Sequence, residues 1–169
     1  HAPTREAISV LASKFAASTQ RPERVGFAAI ELHRAHAYLI HEFLSPLSNR
    51  RDDEYGGSLA NRTRFPLEVF AAVRAVWPAH KPLGIRLSCT DWVEGGWDIE
   101  QTLVLVRELK KLGCDWIDCS SGGLAKNQAV PVAPGYQVPF AERIRQETGV
   151  ATIAIGLITE AKQAESIVA

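Results

Sequence analysis

Two histidines three positions apart, His33 and His36, have the types and spacing that suggest chemistry most directly. An apolar run, Phe27 to Ile30, precedes them and a long polar loop over residues 45–58 follows, so a buried strand passes into a loop at this point. Ligands of α/β proteins bind at the carboxyl ends of strands. Two imidazole N–H groups directed at one point could hold a carbonyl oxygen and stabilise the negative charge that it gains during a reaction. For so short a motif, two solvated loop histidines or half of a metal site are the alternatives.

Later apolar stretches carry further candidates. Arg86 interrupts the stretch Leu83–Ser88. Because a buried cation needs a partner, Arg86 either pairs with a carboxylate in the core or points from a strand end towards an anionic ligand. Asp118, inside the next apolar stretch, is a candidate partner for a neighbouring group. Gly156 follows the last stretch and would allow the close backbone approach that phosphate-binding loops require.

The spacing of apolar residues predicts the elements that position these side chains. The predicted elements are a helix over 4–19 closed by Pro22, a strand over 27–33, a helix over 61–77, a strand over 83–88, a helix from Asp98 to Gly113, a strand over 116–121, a short helix around 140–148, a strand over 150–156 and a last helix capped by Thr159. After the first strand, strand starts recur about every 33 to 35 residues, close to one unit of a (β/α)₈ barrel. No G-x-G-x-x-G motif follows a strand, which argues against a Rossmann sheet.

The predicted fold class is therefore α/β, as part of a (β/α)₈ TIM barrel that contains about four central-to-late βα units of the eight. The candidate residues at or just after strand ends would all lie on one face of this barrel, and they are His33, His36, Arg86, Ser120, Ser121 and Gly156. A complete barrel takes about 250 residues. We therefore expect residues 1–169 to form a single partial domain, incomplete at both ends, within a longer protein.

Composition limits the classes of function. Hydrophobic residues make up 46% and charged residues 22% of the chain, and 19 basic residues balance 19 acidic ones. This predicts a globular protein without the charge footprint of a nucleic-acid or membrane-surface partner. No apolar run approaches the roughly 20 residues of a membrane span. The cysteines Cys89, Cys114 and Cys119 are odd in number and form no C-x-x-C pair, which favours buried thiols and a cytoplasmic location.

Several motifs together carry a resemblance to a known family. They are ELHRAHAYL (31–39), FLSPLSNRR (43–51), DEYGGS (53–58), with Asn61, Arg62, Arg64 and Phe65, and then RLS (86–88), DCSSG (118–122), PGYQ (134–137) and GLIT (156–159). In combination they resemble the Old Yellow Enzyme family, and the later segments its thermophilic-like ene-reductase (NADPH dehydrogenase) branch. The likeness extends from Gly26 to the end of the chain.

The resemblance implies a TIM barrel with FMN at the carboxyl ends of its strands. NADPH (or NADH) would reduce the flavin, which would pass hydride to the activated C=C bond of an α,β-unsaturated carbonyl such as an enone. His33 and His36 match the catalytic pair that binds the substrate carbonyl oxygen, and Tyr38 matches a position near the substrate. Arg86 matches the arginine beside the flavin pyrimidine, where its charge stabilises the reduced anion, and Gly156 matches a position near the flavin phosphate.

Two residues depart from the family pattern. Arg34 and Ala37 stand where the family has a small residue and a glycine. We expect Ala37 to cost stability if the backbone there needs a positive φ. We expect Arg34 to lie beside the carbonyl site and to alter substrate choice.

Two other hypotheses stay open. The chain could be an inactive half-barrel fragment without retained flavin, acting as a scaffold and self-associating through open sheet edges into a homo-oligomer. It could also be a metal-dependent hydrolase using His33, His36 and either Glu31 or Glu42, although no further histidine cluster follows a strand. His41 is predicted on a loop or a helix surface.

Since only Arg86 and Gly156 of the implied flavin contacts lie within the chain, we expect the full-length protein to bind FMN and this chain alone to bind it poorly or not at all.

Overall fold

One sheet of parallel strands forms the centre of the computed structural model, which describes residues 2–169. The strands are β1 (Ile30–Arg34), β2 (Leu83–Ser88), β3 (Trp116–Ser120) and β4 (Ala151–Ala154), and they lie in chain order. The helices are α1 (Arg5–Arg24), α2 (Leu39–Leu44), α3 (Leu59–Val76), α4 (Ile99–Lys111), α5 (Val138–Thr148) and α6 (Ala161–Val168). Each strand pairs in parallel with the next, which requires the helical crossovers that the chain provides. The predicted α/β class is confirmed.

Polar side chains cap the N-termini of three of the helices. The Thr4 hydroxyl accepts a hydrogen bond from the Ala7 N–H group, and Ser58 accepts one from Asn61. Asp98 accepts one from the Gln101 N–H group at 2.9 Å. In each case the side chain satisfies an N–H group that the first helical turn leaves without a partner.

Two predicted helix boundaries are wrong, and one helix was not predicted. α1 continues through Pro22 to Arg24, because a proline in the last turn removes only one hydrogen bond and the following N–H groups bond to Arg21 and Glu23. The N-cap residue of α6 is Glu160 and not Thr159. The six-residue helix α2 was not predicted, since it is too short to show a helical period.

The two faces of the sheet have different surroundings. We call the face that packs against the helices the outer face. Its strand residues Leu32, Ile85, Leu87, Ile117 and Cys119 are buried in the main hydrophobic core. The core residues contributed by the helices include Phe70, Val73, Leu103, Val106 and Leu109.

The opposite face, which we call the inner face, corresponds to the interior of a barrel. Strand register aligns His33, Arg86, Asp118 and Ile153 in one row across the four strands. Alternation along each strand directs these side chains away from the helices, so this row carries the polar candidates.

The three cysteines are free thiols and all are buried, as predicted. Within residues 2–169, no helix has both the length and the apolar character needed to cross a bilayer.

Candidate active site

Arg86 and Asp118 form an ion pair at the centre of the inner face. Arg86 Nε lies 3.6 Å from Asp118 Oδ2, too far for a hydrogen bond. Burial raises the pKa of Asp118, and the positive charge of Arg86 opposes this rise only in part. Among residues 2–169, Arg86 Nε and Asp118 Oδ1 have no hydrogen-bond partner. The carboxylate pairing expected as one alternative for Arg86 is present, while the guanidinium side chain stays 31% exposed on this face.

His33, His36 and Tyr38 lie together at the end of β1. The ring centroids of His33 and His36 are 5.4 Å apart, and the Tyr38 ring packs edge-on against His33 at 5.1 Å. Burial lowers the pKa of both imidazoles, and the nearby Arg86 charge lowers it further. Both rings are therefore neutral near pH 7, and each carries one N–H group.

Two serines at the ends of neighbouring strands hold His36. Its backbone N–H group donates to Ser88 Oγ at 3.1 Å, and its Nε2 atom lies 2.6 Å from Ser120 Oγ. Ser88 Oγ in turn donates to the Gly122 carbonyl at 2.9 Å. The His36 ring is thus tied to β2 and β3 as well as to its own strand. The ring of His33 makes no hydrogen bond within the described part of the chain, and it is exposed.

A tight turn with left-handed backbone connects β1 to α2. The Tyr38 N–H group donates to the Ala35 carbonyl at 3.2 Å, and the two central residues, His36 and Ala37, have φ angles of 56° and 59°. Positive φ at both central positions is the pattern of a type I′ turn, which favours Gly and Asn. Because Cβ crowds the carbonyl group, each such non-glycine residue costs about 1–2 kcal/mol. The backbone at Ala37 therefore has the positive φ that the sequence argument considered.

His41 and Asp91 form a buried pair beneath this turn. His41 Nδ1 accepts the Ala37 N–H group at 3.0 Å, and His41 Nε2 lies 2.9 Å from Asp91 Oδ1. The second Asp91 oxygen accepts from Ser45 Oγ at 2.5 Å and from the Trp97 N–H group at 2.7 Å. Burial by itself raises the pKa of Asp91, but the donors His41, Ser45 and Trp97 outweigh it, and the net pKa is lowered. The prediction that His41 lies on a loop or a helix surface is wrong, because its α2 position is fully buried.

Arg34 lies on the outer face and not beside the histidines. It follows His33 on β1, so alternation turns its side chain towards the helices, where it is 0% exposed. Its guanidinium lies 5.8 Å from the Phe70 ring centroid, and within residues 2–169 none of its three nitrogens has a hydrogen-bond partner. Burial lowers the pKa of Arg34 to about 9. The expectation that Arg34 borders the carbonyl site is therefore wrong.

Gly156 lies after β4 with φ +113°, where a Cβ atom would come within 3.1 Å of the Gln137 backbone nitrogen. Its carbonyl accepts a hydrogen bond from the Gly135 N–H group at 2.6 Å. The glycine is therefore required by backbone geometry and by the loop packed against it. Its role near a flavin phosphate stays a prediction.

A metal centre finds no support in the described residues. Residues 2–169 contain no group of three His, Cys, Asp or Glu side chains arranged to hold a metal ion. Glu31 accepts a hydrogen bond from Trp116 Nε1 at 2.8 Å, and Glu42 is exposed.

Sequence reasoning missed Ser88, His41 and Asp91, and it named Ser120 at a strand end without predicting its contact with His36. The three missed residues are single polar residues with no regular spacing to another candidate. Ser88 could have been found from the register of β2 and β3, since it pairs with Ser120 at the strand ends. His41 and Asp91 lie on different elements, 50 positions apart, and only the folded chain brings them together.

Comparison with known proteins identifies the family. The model of the NADH:flavin oxidoreductase / NADH oxidase family matches residues 1–169. The chain belongs to this family. It is 46% identical over 164 residues to the NADPH dehydrogenase of Listeria monocytogenes, which covers 97% of this chain and 48% of that protein. It is 48% identical over 166 residues to the NADPH dehydrogenase of Halalkalibacterium halodurans, with 98% and 48% covered. The resemblance to the Old Yellow Enzyme family and its NADPH dehydrogenase branch is confirmed.

Solved structures of the same fold are longer than this chain. Morphinone reductase in complex with tetrahydroNAD is 32% identical, with a TM-score of 0.76 over 99% of this chain and 44% of its own. The 2-naphthoyl-CoA reductase complex gives a TM-score of 0.91 over 99% of this chain and 26% of its own, and at 24% identity this likeness shows the fold alone. The chain spans about half the length of the relatives that it matches. The predicted partial TIM barrel is confirmed.

Proposed function

We propose that this chain supplies the substrate-binding part of an FMN-dependent ene-reductase, which reduces the activated C=C bonds of α,β-unsaturated carbonyl compounds with NADPH (or NADH). The observation that carries the proposal is the grouping of His33, His36 and Arg86 on the inner face at the strand ends. The family is a flavin oxidoreductase family, and the relatives that the chain matches are NADPH dehydrogenases.

The residues present fit a flavin. Arg86 keeps a buried Nε atom without a hydrogen-bond partner among residues 2–169 and exposes part of its guanidinium on the inner face. Asp118 lies 3.6 Å from Arg86 Nε and therefore satisfies this arginine only in part. The anionic edge of a reduced flavin ring would give it a hydrogen-bonded partner. Arg86 would hold the pyrimidine end of FMN, and the Gly156 backbone would lie near its phosphate. FMN, when bound, supplies the hydride to the substrate.

His33 and His36 would hold the substrate carbonyl oxygen. Because their pKa values are lowered, both rings remain neutral at pH 7 and each donates one N–H group without transferring its proton. If Ser120 donates its O–H group to His36 Nε2, the His36 proton sits on Nδ1 and is free for the substrate. Two donors at one carbonyl oxygen withdraw charge from the conjugated double bond and stabilise the enolate oxygen that forms.

Tyr38 would form one wall of the substrate site. Its ring packs edge-on against His33 and is 63% exposed towards the same face. We include it as a substrate-binding residue because an exposed aromatic ring beside the two donors can cover a planar enone.

The remaining parts of the proposal concern the whole protein. Residues 1–169 would form one partial barrel domain, completed by further strands. The partner would be a small enone-type molecule, and unpaired sheet edges at β1 and β4 favour self-association. The three free, buried thiols support a cytoplasmic location.

A chimera tests the proposed activity. The 164 residues of this chain that align with the Listeria monocytogenes NADPH dehydrogenase would replace the matching half of that protein, giving what we call the completed barrel. We expect it to oxidise NADPH in the presence of 2-cyclohexenone. Replacing His33 and His36 by alanine should lower this rate at least about 100-fold, as the loss of an oxyanion donor does. The matched control, His80→Ala, changes an exposed histidine away from the inner face and should leave the rate unchanged. An unaltered rate in the double variant would contradict the role of the histidine pair.

One observation favours a second state for the isolated chain. Its sheet has two open edges, β1 and β4, and its inner face is partly exposed, as shown by the Arg86 side chain at 31% and Ile153 at 43% exposure. Alone, the chain would behave as a scaffold fragment that does not retain flavin. The two proposals differ in whether the barrel is complete, so they are separable by flavin content.

A further inference from the structure

The conformation of the turn that contains His36 is not favoured by the residues of the turn itself. Its central residues, His36 and Ala37, both adopt positive φ, and neither is a glycine or an asparagine. The closing hydrogen bond from Tyr38 to Ala35 is compatible with other turn types, which lack this strain. Some contact outside the turn must therefore favour the left-handed backbone.

The N–H groups of both central residues make such contacts, His36 with Ser88 Oγ and Ala37 with His41, and the Ala37 contact is the one that is buried with a charged partner behind it. The Ala37 N–H group donates to His41 Nδ1 at 3.0 Å from within the turn. A backbone N–H group can only donate, so His41 Nδ1 carries no proton and the ring proton must sit on Nε2. His41 Nε2–H then donates to Asp91 Oδ1 at 2.9 Å. The side chains of His41 and Asp91 are both 0% exposed, so water does not compete for these bonds.

Asp91 is held in turn by groups outside α2. Ser45 Oγ and the Trp97 N–H group both donate to its second oxygen, at 2.5 and 2.7 Å. Asp91 can only accept while it is ionised, and its lowered pKa keeps it so at neutral pH. Its position in the loop after β2 is thereby fixed, and with it the ring of His41.

We propose that His41 and Asp91 are positioning residues that direct the His36 ring towards the substrate. Asp91 selects the Nε2–H tautomer of His41, and His41 Nδ1 holds the Ala37 N–H group in the left-handed turn. The turn presents the His36 N–H group to Ser88 Oγ and its ring to Ser120 Oγ. This inference rests on the proposed function only in giving His36 a substrate to bind. The geometry itself is independent of flavin and substrate.

Nuclear magnetic resonance of the purified protein, labelled with ¹⁵N in histidine and alanine, tests the pair directly. We expect a scalar coupling between the Ala37 amide nitrogen and His41 Nδ1 across their hydrogen bond, and a proton on His41 Nε2. A missing coupling, or a proton on Nδ1, would overturn the proposal without any variant being made.

Three variants separate positioning from packing. His41→Asn keeps an acceptor near the place of Nδ1, whereas His41→Leu has similar bulk and no acceptor. His80→Asn is the control at an exposed site. We expect the nuclear Overhauser contact between the His36 ring and the Ser120 Cβ protons to persist in the Asn variant and the control, and to disappear in the Leu variant.

The outcomes decide the role of His41. A contact that survives in folded His41→Leu means that His41 only fills space, and equal loss in both His41 variants means that its acceptor atom is irrelevant. Either result would overturn the proposal. If His41→Leu does not fold, the Asn variant decides, since retention of the contact supports positioning and its loss contradicts it. None of these measurements depends on enone reduction, so failure of the proposed function would be seen separately.

Discussion

Each face of the sheet contains one strand arginine, and the two arginines have different surroundings. Arg34 on the outer face is surrounded by apolar core, without a hydrogen-bond partner among the described residues. Arg86, on the adjacent strand, lies on the inner face 3.6 Å from Asp118 and partly exposed. The outer face is organised for packing, so a charge there is a cost in stability. The inner face is polar and incompletely covered, so a charge there remains available to a ligand.

Stability and ligand binding therefore depend on opposite faces of the sheet. The apolar core residues Ile85 and Leu87 of β2 flank Arg86, and Ile117 and Cys119 of β3 flank Asp118, so core and polar side chains point to opposite faces of the sheet. Changes on the outer face should therefore alter the free energy of unfolding, and changes on the inner face should alter binding.

The largest effect is expected in the outer core. Leu87→Ala removes a side chain that is 1% exposed and should lower the free energy of unfolding by about 3 kcal/mol, the usual cost of a buried cavity. The inner-face control Ile153→Ala, 43% exposed, should cost about 1 kcal/mol or less. Urea denaturation of both variants measures the difference. Equal costs would mean that the two faces are equally packed.

Arg34→Met should stabilise the protein by about 2 kcal/mol, since it replaces a buried cation lacking hydrogen bonds by an apolar side chain of similar length. The matched control is Arg86→Met, which should change the free energy of unfolding by about 1 kcal/mol or less because the site is partly solvated. The same denaturation experiment decides it. Destabilisation by Arg34→Met would show that the guanidinium makes stabilising contacts.

The advantage of Arg34→Met should also depend on pH. Below about pH 9 both the folded and the unfolded wild-type chain carry the Arg34 proton. Above it the folded state releases the proton while the unfolded chain keeps it, so wild-type stability gains about 1.4 kcal/mol per pH unit from this group. The difference between variant and wild type should therefore be smaller at pH 10 than at pH 7. Taking the difference removes the opposing contribution of Cys114, whose pKa burial raises to about 12. A constant difference would contradict the lowered pKa of Arg34.

The smallest effect is expected at the turn. Ala37→Gly relieves the left-handed strain at φ 59° but increases the entropy of the unfolded chain. The free energy of unfolding should therefore rise by about 0.5 kcal/mol. Ala79→Gly, at an exposed position without positive φ, should instead lower the free energy of unfolding by roughly 0.5 kcal/mol or less. Thermal unfolding compares them. A loss at Ala37 as large as at Ala79 would mean that the turn carries no strain.

Most of the fold could be predicted from the sequence, because strands and long helices repeat their apolar residues at a regular period. β2 was predicted with its observed bounds, and Asp98 and Gly113 mark the ends of the α4 region. The failures have physical causes. Pro22 was predicted to end α1, but a proline in the last turn does not end a helix. The helix α2 has only six residues, too few to show a helical repeat of apolar positions.

The candidate site could be predicted only where a motif or a strand end marked it. His33, His36 and Arg86 were found in this way and do lie on one face. The side of the sheet on which Arg34 lies follows from alternation, and the sequence argument did not apply that rule to it. The His41–Asp91 pair depends on contacts between α2 and the loop after β2, for which a single sequence gives no signal.

The visible absorption spectrum after addition of FMN and desalting shows whether the inner face of the barrel holds flavin. It should be recorded for the 169-residue chain and for the completed barrel side by side. We expect a flavin band near one equivalent in the completed barrel and a colourless isolated chain, because Arg86 and Gly156 are only part of the implied flavin contacts. A colourless completed barrel with folded structure would contradict the proposed flavin site on the inner face, and a yellow isolated chain would contradict its dependence on the missing strands.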